Sequence, residues 1–316
     1  PCSDSNSNRP KVRSSTPLMG RTLSQKQNHI QKLNDVPFLD KLSPFFNFLP
    51  CPMLENFSGA TRVHIIVGDP IAQVKSPFGV TQAFESLGKD AICVPAQVPT
   101  QDLSRWFEGV SLARNVDGII VTVPHKFDCY ALCKTASPRA EFLGAVNTMR
   151  RNSDGSWHGD MFDGLGYVTA MQNKGCDLKG KKALLVGAGG AGSAIAHSLV
   201  LAGVRELAIH DESTDRRESL IKRLNSLNLG NVINGSADPS GCDVAINATP
   251  VGMKATDPTP ILVDTITPQM FVGCVITVPA VPPLIEAARA KGCNTVIGGE
   301  MFTQVRELMV QFLSEV

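Results

Sequence analysis

Two kinds of segment alternate along the chain from residue 62 onward. Short β-branched runs such as RVHIIVG, AICVPAQ and GIIVTV are typical of strands that are buried on both faces. Between them, SPFGVTQAFESLG and DLSRWFEGVSLA carry apolar residues at helical spacing and predict amphipathic helices. This strand–helix–strand alternation predicts a parallel sheet with right-handed crossovers.

The same alternation begins a second time further along the chain. FDCYALCKTASPRAEFLG is predicted as helical, AVNTMRR follows it, and DGLGYVTAMQNKG predicts a connecting helix. Strand-like segments then return in KKALLVGAGG, ELAIHDES, DVAINATP and CVITVPAVPP, and MFTQVRELMVQFL predicts a closing helix. The sequence therefore predicts an α/β protein with two α/β domains and a cleft between them.

The pattern also sets the predicted domain boundaries. Residues 1–59 are rich in Ser, Asn and Pro and lack periodicity, so they predict a disordered N-terminal extension, with a basic transit peptide as the alternative. Residues 60–164 form a first domain with a largely parallel sheet, and residues 165–297 form a second domain. Residues 298–316 are predicted to pack back on the first domain.

Composition and charge narrow the choice of partner. The chain has 316 residues, of which 43% are hydrophobic, and 30 basic and 29 acidic residues give a net charge of +1. No strong field would attract nucleic acid or an anionic membrane. No apolar run approaches the roughly 18 residues that span a bilayer. We expect a small-molecule substrate, and a monomer or homodimer.

The nine cysteines are dispersed and form no CxxC pair. Cys129 and Cys133 are four positions apart, but no histidine or cysteine pair nearby would complete a metal site. We therefore predict free thiols in a reducing cytoplasm and no bound metal.

A glycine-rich turn lies between a predicted strand and a predicted helix. Gly187, Gly189 and Gly192 have GxGxxG spacing, and Gly190 lies inside the same loop. The first glycine permits a tight turn, the second lets the backbone approach a pyrophosphate, and the third allows close helix packing. The alternative is a glycine-lined helix that merely packs on a sheet. We predict a dinucleotide-binding domain.

The next predicted strand ends at Asp211, where a carboxylate can bind the ribose hydroxyls of a dinucleotide. Glu212 follows, and a second carboxylate would repel a 2′-phosphate. Both residues favour NAD. NADP stays an alternative, because Arg216 and Arg217 could turn back toward the phosphate; otherwise they form a solvated first helical turn.

Two further strand ends carry polar side chains. DVAINATPVGM places Asn247 and Thr249 at a strand exit, either beside a nicotinamide ring or in a plain polar turn. IIVTVPHK is a buried strand that stops at Pro124 and delivers Lys126. That lysine either reaches solvent or lies in a cleft.

Seven segments in order carry a resemblance to a known family: GDPIAQVKSP, VTVPHK, GAVNT, GDMFDGLG, GAGGAG, INATPVGM and GGEMFTQ. They resemble the shikimate dehydrogenase family, which includes quinate dehydrogenases, over residues 62 to 316. The resemblance implies reversible hydride transfer between a ring hydroxyl of shikimate or quinate and NAD(P), giving 3-dehydroshikimate or its analogue. It also implies a substrate domain followed by a Rossmann domain.

The resemblance assigns individual residues. Lys126 and Asp163 correspond to the catalytic pair of the family. The positions that it implies for substrate binding are Ser76, Thr122, Asn147 and Gln304.

This sequence also departs from the family pattern. Val74 replaces a serine of the carboxylate motif, and Gln73 replaces the histidine that usually precedes it. Gln73 could substitute in part for the lost hydroxyl donors. Ile120, Cys274 and Thr277 stand where the family often has an asparagine, an aspartate and a tyrosine. Because hydroxyl donors are lost, we expect weak turnover of shikimate. Alternatives are a dehydrogenase of a quinate-only or aminated ring acid, and a redox-inactive ligand sensor.

Overall fold

The computed structural model describes residues 57–254 and 256–315. Most of the predicted extension over residues 1–59 therefore lies outside the described residues. The described chain forms two six-stranded sheets with helices packed against them. No helix in this part of the chain is both long and apolar enough to cross a membrane.

The first sheet is built from six strands in the order β2-β1-β3-β5-β6-β4. Their bounds are β1 Arg62–Gly68, β2 Ala91–Gln97, β3 Val116–Val121, β4 Thr135–Ala136, β5 Thr148–Arg151 and β6 Trp157–Asp160. Strand β1 runs parallel to β2 and β3, with Ile65 level with Ile119. The alternating buried runs therefore form the parallel half of the sheet, as predicted.

The other half of this sheet is mixed rather than parallel. Strand β5 pairs antiparallel with β3 and with β6, and only β4 with β6 is parallel. The physical reason is the short link between β5 and β6, since residues 152–156 can close a hairpin but cannot make a crossover. Strands β4 and β6 were not predicted from the sequence, and β4 interrupts a segment that was predicted as helical.

Nine α-helices surround the sheets in the described residues. They are α1 Ser76–Ser86, α2 Leu103–Ser111, α3 Lys126–Ala131, α4 Pro138–Leu143, α5 Asp163–Asn173, α6 Gly190–Leu201, α7 Thr214–Asn225, α8 Pro283–Ala290 and α9 Gly298–Leu313. Short 3₁₀ turns occupy Thr100–Asp102 and Val263–Thr265.

The second sheet is fully parallel, in the order β12-β11-β10-β7-β8-β9. Its strands are β7 Lys182–Val186, β8 Glu206–His210, β9 Asn231–Asn234, β10 Val244–Asn247, β11 Phe271–Cys274 and β12 Asn294–Val296. This is the doubly wound Rossmann order, and the strand order reverses between β7 and β10. Val186 and Asn247 are level at that point, so both strands end at one crevice.

Helices α5 and α9 connect the two sheets. Helix α5 packs against α6 and α9, and α9 also contacts α1 and β5. One buried apolar cluster includes Ile66 of β1, Tyr167 of α5, Leu185 of β7 and Met309 of α9. The carboxyl ends of β1, β3 and β10 consequently face a single cleft.

Candidate active site

A cavity of about 540 Å³ lies in this cleft. Residues from both sheets line it, including Ile66 of β1, Thr122 after β3, and Thr249 after β10. Helix α9 closes it with apolar side chains. A cavity at strand carboxyl ends, mostly apolar with a few convergent polar groups, is typical of small-molecule sites.

Lys126 and Asp163 form an ion pair on the wall of this cavity. Each is the first residue of a helix, α3 and α5 respectively. Lys126 is only 8% exposed and Asp163 only 6%, so the lysine does not reach solvent. Two opposite charges taken from water together are stable only when hydrogen bonds complete their shells.

Asn147 completes the shell of the aspartate. Its Nδ2 donates to Asp163 Oδ1 at 2.7 Å, while its Oδ1 accepts from the Phe162 backbone N–H at 3.0 Å and from Thr148 Oγ1 at 3.1 Å. Asn147 is almost fully buried. The amide therefore fixes one carboxylate oxygen and leaves the other, Oδ2, to Lys126.

The backbone around Lys126 is fixed by its neighbours. The fully buried His125 ring donates from Nε2 to the Val98 carbonyl at 2.7 Å, because a carbonyl can only accept. The Lys126 carbonyl accepts from the Val146 backbone N–H at 2.9 Å, next to Asn147. The lysine and the amide that orients its partner thus belong to one hydrogen-bonded unit.

Several residues predicted to contact substrate line the same cavity. Ser76 lies at the start of α1, Thr122 follows β3, and Gln73 lies in the loop before α1. Gln73 Nε2 donates to the Pro70 carbonyl at 2.9 Å, which leaves its side-chain oxygen for a ligand. The structure therefore brings these three together with Lys126 and Asp163.

Gln304 is a correction. It does not line the cavity, whereas Met301, Val305 and Met309 of α9 do. Together with Phe302, these residues fall within an arc of about 100° around the helix axis, and Gln304 lies about 60° outside that arc. The spacing of the apolar residues in MFTQVRELM was the signal that could have placed Val305, not Gln304, on the wall.

The glycine loop has the geometry that its spacing predicts. Gly187 has a positive φ of 109°, and a Cβ at Gly192 would overlap the Gly187 carbonyl oxygen. A Cβ at Gly189 would meet nothing within 4 Å. The open face at Gly189, beside the N-terminus of α6, fits the pyrophosphate of a dinucleotide.

Gly190 joins the loop to the ion pair. A Cβ at this position would lie 3.0 Å from Lys126 Cδ. The aliphatic part of the lysine side chain therefore lies against the loop where a dinucleotide would bind.

Asp211 lies at the end of β8, beside the glycine loop. Its Oδ2 accepts from the Ala188 backbone N–H at 2.7 Å, and its Oδ1 accepts from the Ser213 backbone N–H at 2.8 Å and from Arg216 Nη2 at 2.9 Å. Burial raises the pKa of Asp211, but these hydrogen bonds and the nearby guanidinium outweigh it and leave the pKa lowered.

Arg216 is therefore not a purely solvated residue, although its side chain is 59% exposed. Arg217 approaches only the Asp211 backbone carbonyl, at 3.5 Å. Glu212, the residue after Asp211, is exposed.

Asn247 and Thr249 have different positions. Thr249 lines the cavity, but Asn247 does not. Asn247 Oδ1 accepts from the Thr249 N–H and hydroxyl at 2.9 and 2.7 Å, and its Nδ2 donates to the Val251 carbonyl at 3.1 Å. The prediction for Asn247 is therefore corrected, because its side chain shapes the loop and has no group free for a cofactor.

Among the described residues, no group of three or more His, Cys, Asp or Glu side chains is arranged to hold a metal ion. The thiols of Cys93 and Cys129 lie deep in the core, and burial raises the pKa of each to about 12. These thiols are therefore poor nucleophiles at neutral pH.

Known proteins similar to this chain decide its family. Residues 66–149 match the family model described as the shikimate dehydrogenase substrate binding domain. A shikimate dehydrogenase (NADP(+)) of Rubrobacter xylanophilus is 35% identical, over 76% of this chain and 86% of the relative. A second, from Listeria monocytogenes, is 31% identical over 77% of this chain and 88% of the relative.

The chain belongs to the shikimate dehydrogenase family. A Listeria monocytogenes shikimate 5-dehydrogenase solved with shikimate and NAD has a TM-score of 0.75 and 28% identity, covering 83% of this chain and 94% of that one. A quinate dehydrogenase from Corynebacterium glutamicum, solved with NAD, has a TM-score of 0.73 and 26% identity, covering 81% and 94%.

These similarities confirm the predicted α/β fold and the predicted family. The protein is a shikimate dehydrogenase-like oxidoreductase that uses a nicotinamide dinucleotide. Relatives solved with NAD and with NADP⁺ are both among the similar structures.

Proposed function

We propose that this protein reversibly oxidises a ring hydroxyl of a shikimate- or quinate-like acid, with NAD as its preferred cofactor. The observation that carries this proposal is the buried Lys126–Asp163 pair on the cavity wall, with the lysine stem against the glycine loop. We assign the substrate to residues 60–164, the dinucleotide to residues 165–297, and the returning helix to residues 298–316. A cytoplasmic location stays a prediction.

The bound nicotinamide ring supplies the chemistry of hydride exchange with the carbinol carbon. The chain must then exchange the hydroxyl proton, because a carbonyl forms only as that proton leaves. Lys126 and Asp163 are the titratable pair on the cavity wall, and Asn147 holds Asp163 so that Oδ2 stays on the lysine. We assign the proton to this pair.

The rest of the cavity supports a ring acid with few hydroxyl contacts at one end. Ser76, Thr122 and Gln73 offer hydrogen bonds, whereas Val74, Ile120 and Val305 line the wall with apolar groups. A substrate hydroxyl that faces those groups loses water without a new partner, which costs about 1–3 kcal/mol. We therefore propose a high KM for shikimate itself.

The charge at the ribose site supports NAD. Asp211 and Glu212 would both oppose a 2′-phosphate, although Arg216 lies close enough to Asp211 to screen it. The catalytic efficiencies of the purified enzyme with NAD and with NADP measure this balance directly. Equal or better use of NADP would contradict the preference.

The test of the reaction is the absorbance at 340 nm with shikimate and quinate, each with NAD and with NADP. Lys126→Ala should lower kcat by about 10²–10⁴-fold while dinucleotide binding is retained, since it removes proton transfer and not the glycine loop. Lys134→Ala is the matched control, because it breaks an exposed Lys–Asp pair with Asp154. Unchanged turnover in Lys126→Ala would refute the assignment.

A further inference from the structure

A second cavity, of about 420 Å³, adjoins the active-site cavity between the start of α1 and the middle of α9. The two cavities have Val74, Lys75 and Phe302 in common. Lys75 and Val74, at the start of α1, therefore lie where the two cavities meet.

The second cavity is lined by two cations and no carboxylate. Lys75 is exposed, and its side chain makes no hydrogen bond or ion pair with the described residues. Arg306 is half-buried. Its Nε atom is buried and has no hydrogen-bond partner among the described residues. A buried guanidinium N–H without an acceptor is costly, so this cavity favours an anionic ligand.

Helix packing holds Arg306 in this position. A Cβ at Gly79 of α1 would lie 3.1 Å from the Phe302 ring and 3.3 Å from Arg306 Cδ, so α9 packs closely on α1 at the glycine. The first turn of the 11-residue helix α1 carries no acidic residue, and the side chain of its N-cap Lys75 makes no capping bond. The helix N-terminus adds a partial positive charge to the two cations.

The wall that the active-site cavity shares with the second cavity carries one cation, Lys75. Ile120 and Val305 line the active-site cavity with apolar groups, whereas Arg306 lines only the second cavity. A carboxylate attached directly to a ring in the active-site cavity could meet Lys75 but not Arg306. A carboxylate on a short arm would extend to the junction of the cavities, where Lys75 lines both and Arg306 lines the second.

We propose that the second cavity binds the carboxylate of the substrate through Lys75 and Arg306. This rests on the proposed function and names its substrate class: cyclic hydroxy acids whose carboxylate is separated from the ring by one or more carbon atoms. The proton-transfer pair lines the active-site cavity, and Lys75 links that cavity to the one lined by Arg306.

The experiment compares three compounds with wild-type protein: 3-hydroxycyclohexanecarboxylate, 3-hydroxycyclohexaneacetate and 3-hydroxycyclohexaneacetamide, each with NAD and NADP. The acetate should have the lowest KM of the three. Arg306→Gln and Lys75→Gln should each raise the KM of the acetate about tenfold or more and change kcat less than about twofold, since a charge-assisted contact is lost away from the reacting carbon. The KM of the amide should not change.

Arg105→Gln is the matched control, because Arg105 is exposed on α2 and lines neither cavity. It removes the same charge and should leave every KM unchanged. Arg306→Lys should recover part of the preference for the acid over the amide. If Arg306→Gln does not fold, the exposed Lys75 gives the same comparison.

Calorimetric binding of cyclohexaneacetate separates this inference from the proposed function. Binding that is lost in Arg306→Gln or Lys75→Gln supports the inference even if no compound is oxidised, and in that case only the proposed function fails. If the wild type oxidises these compounds and both variants keep the same preference for the acid over the amide as the wild type, the inference is overturned and the function stays intact.

Discussion

At the scale of single residues, Asn147 holds the carboxylate of the buried ion pair in place. Its amide bridges Asp163, the Phe162 backbone and Thr148, so the carboxylate cannot rotate without breaking hydrogen bonds that have no water to replace them. The buried ion pair is therefore held by its surroundings rather than by its own attraction.

His64 gives a prediction about pH and stability. It lies in β1, only 3% exposed, with its ring stacked on Phe84 at 4.5 Å, and burial lowers its pKa to about 4. Between pH 6.5 and 4 the unfolded chain binds a proton at this residue that the native protein does not bind. The contribution of His64 to the free energy of unfolding should therefore fall by roughly 2 kcal/mol from pH 8 to pH 5.

Urea denaturation of wild type and His64→Leu at both pH values checks this prediction. At pH 8 the imidazole is neutral in both states, so the difference between the proteins there reports packing alone. The wild type should lose more stability than the variant between pH 8 and pH 5. An equal loss would show that His64 is not buried in its neutral form.

Residue chemistry was predictable from sequence only where a motif carried it. Lys126 and Asp163 are distant in sequence and were paired through the family resemblance, not through spacing. Gln304 was placed one position away from the cavity because a residue type was matched without its helical phase. No motif predicted a role for Arg306, because Arg306 and Lys75 line one cavity only through the packing of α9 on α1.

At the scale of elements, the glycine loop separates two roles that one motif combines. Gly192 allows the N-terminus of α6 to approach the end of β7, whereas Gly189 faces open space. Gly192 therefore serves the fold, and we assign Gly189 to the ligand.

Two alanine substitutions test this separation. Gly192→Ala should lower the free energy of unfolding by about 1–3 kcal/mol, because its Cβ would overlap the Gly187 carbonyl. Gly189→Ala should change stability by less than about 1 kcal/mol, since the position is a helix N-cap with free space around it.

Dinucleotide affinity should be more sensitive to the substitution at Gly189 than stability is. Gly189→Ala fills the space of the pyrophosphate, so calorimetry should show at least about tenfold weaker binding of NAD by a stable protein. Normal NAD binding by Gly189→Ala would show that the pyrophosphate does not lie on this face of the loop.

The second sheet was largely predictable because its central strands are apolar runs that end in turns, and α-helices follow β7, β8 and β11. The first sheet was predictable only for β1 to β3. Its hairpin escaped because β6 has four residues, WHGD, with no apolar run, and strand direction depends on the length of the turn at 152–156. Short strands that are ordered by their neighbours leave little trace in a sequence.

At the scale of the whole molecule, α5 joins the chemistry to the dinucleotide half. It begins at Asp163, and the next residue, Gly164, lies against the backbone of α6. Two residues further, Gly166 lies against Val305 of α9, on the cavity wall. The position of the carboxylate thus depends on how closely three helices approach one another.

Gly164→Ala tests this dependence. A Cβ there would overlap the Ala194 carbonyl oxygen, so α5 and α6 must separate, and we expect a loss of stability of about 1–3 kcal/mol. Because Asp163 is the preceding residue, its distance from Lys126 should change and kcat should fall, while Kd for the dinucleotide changes less.

Gly109→Ala is the control. Gly109 also lies in a helix, but a Cβ there would meet nothing within 4 Å. This variant should therefore be neutral or up to about 1 kcal/mol more stable. Suppose that Gly164→Ala and Gly109→Ala have the same stability and the same turnover. The packing of α5 on α6 would then not determine the position of the Asp163 carboxylate.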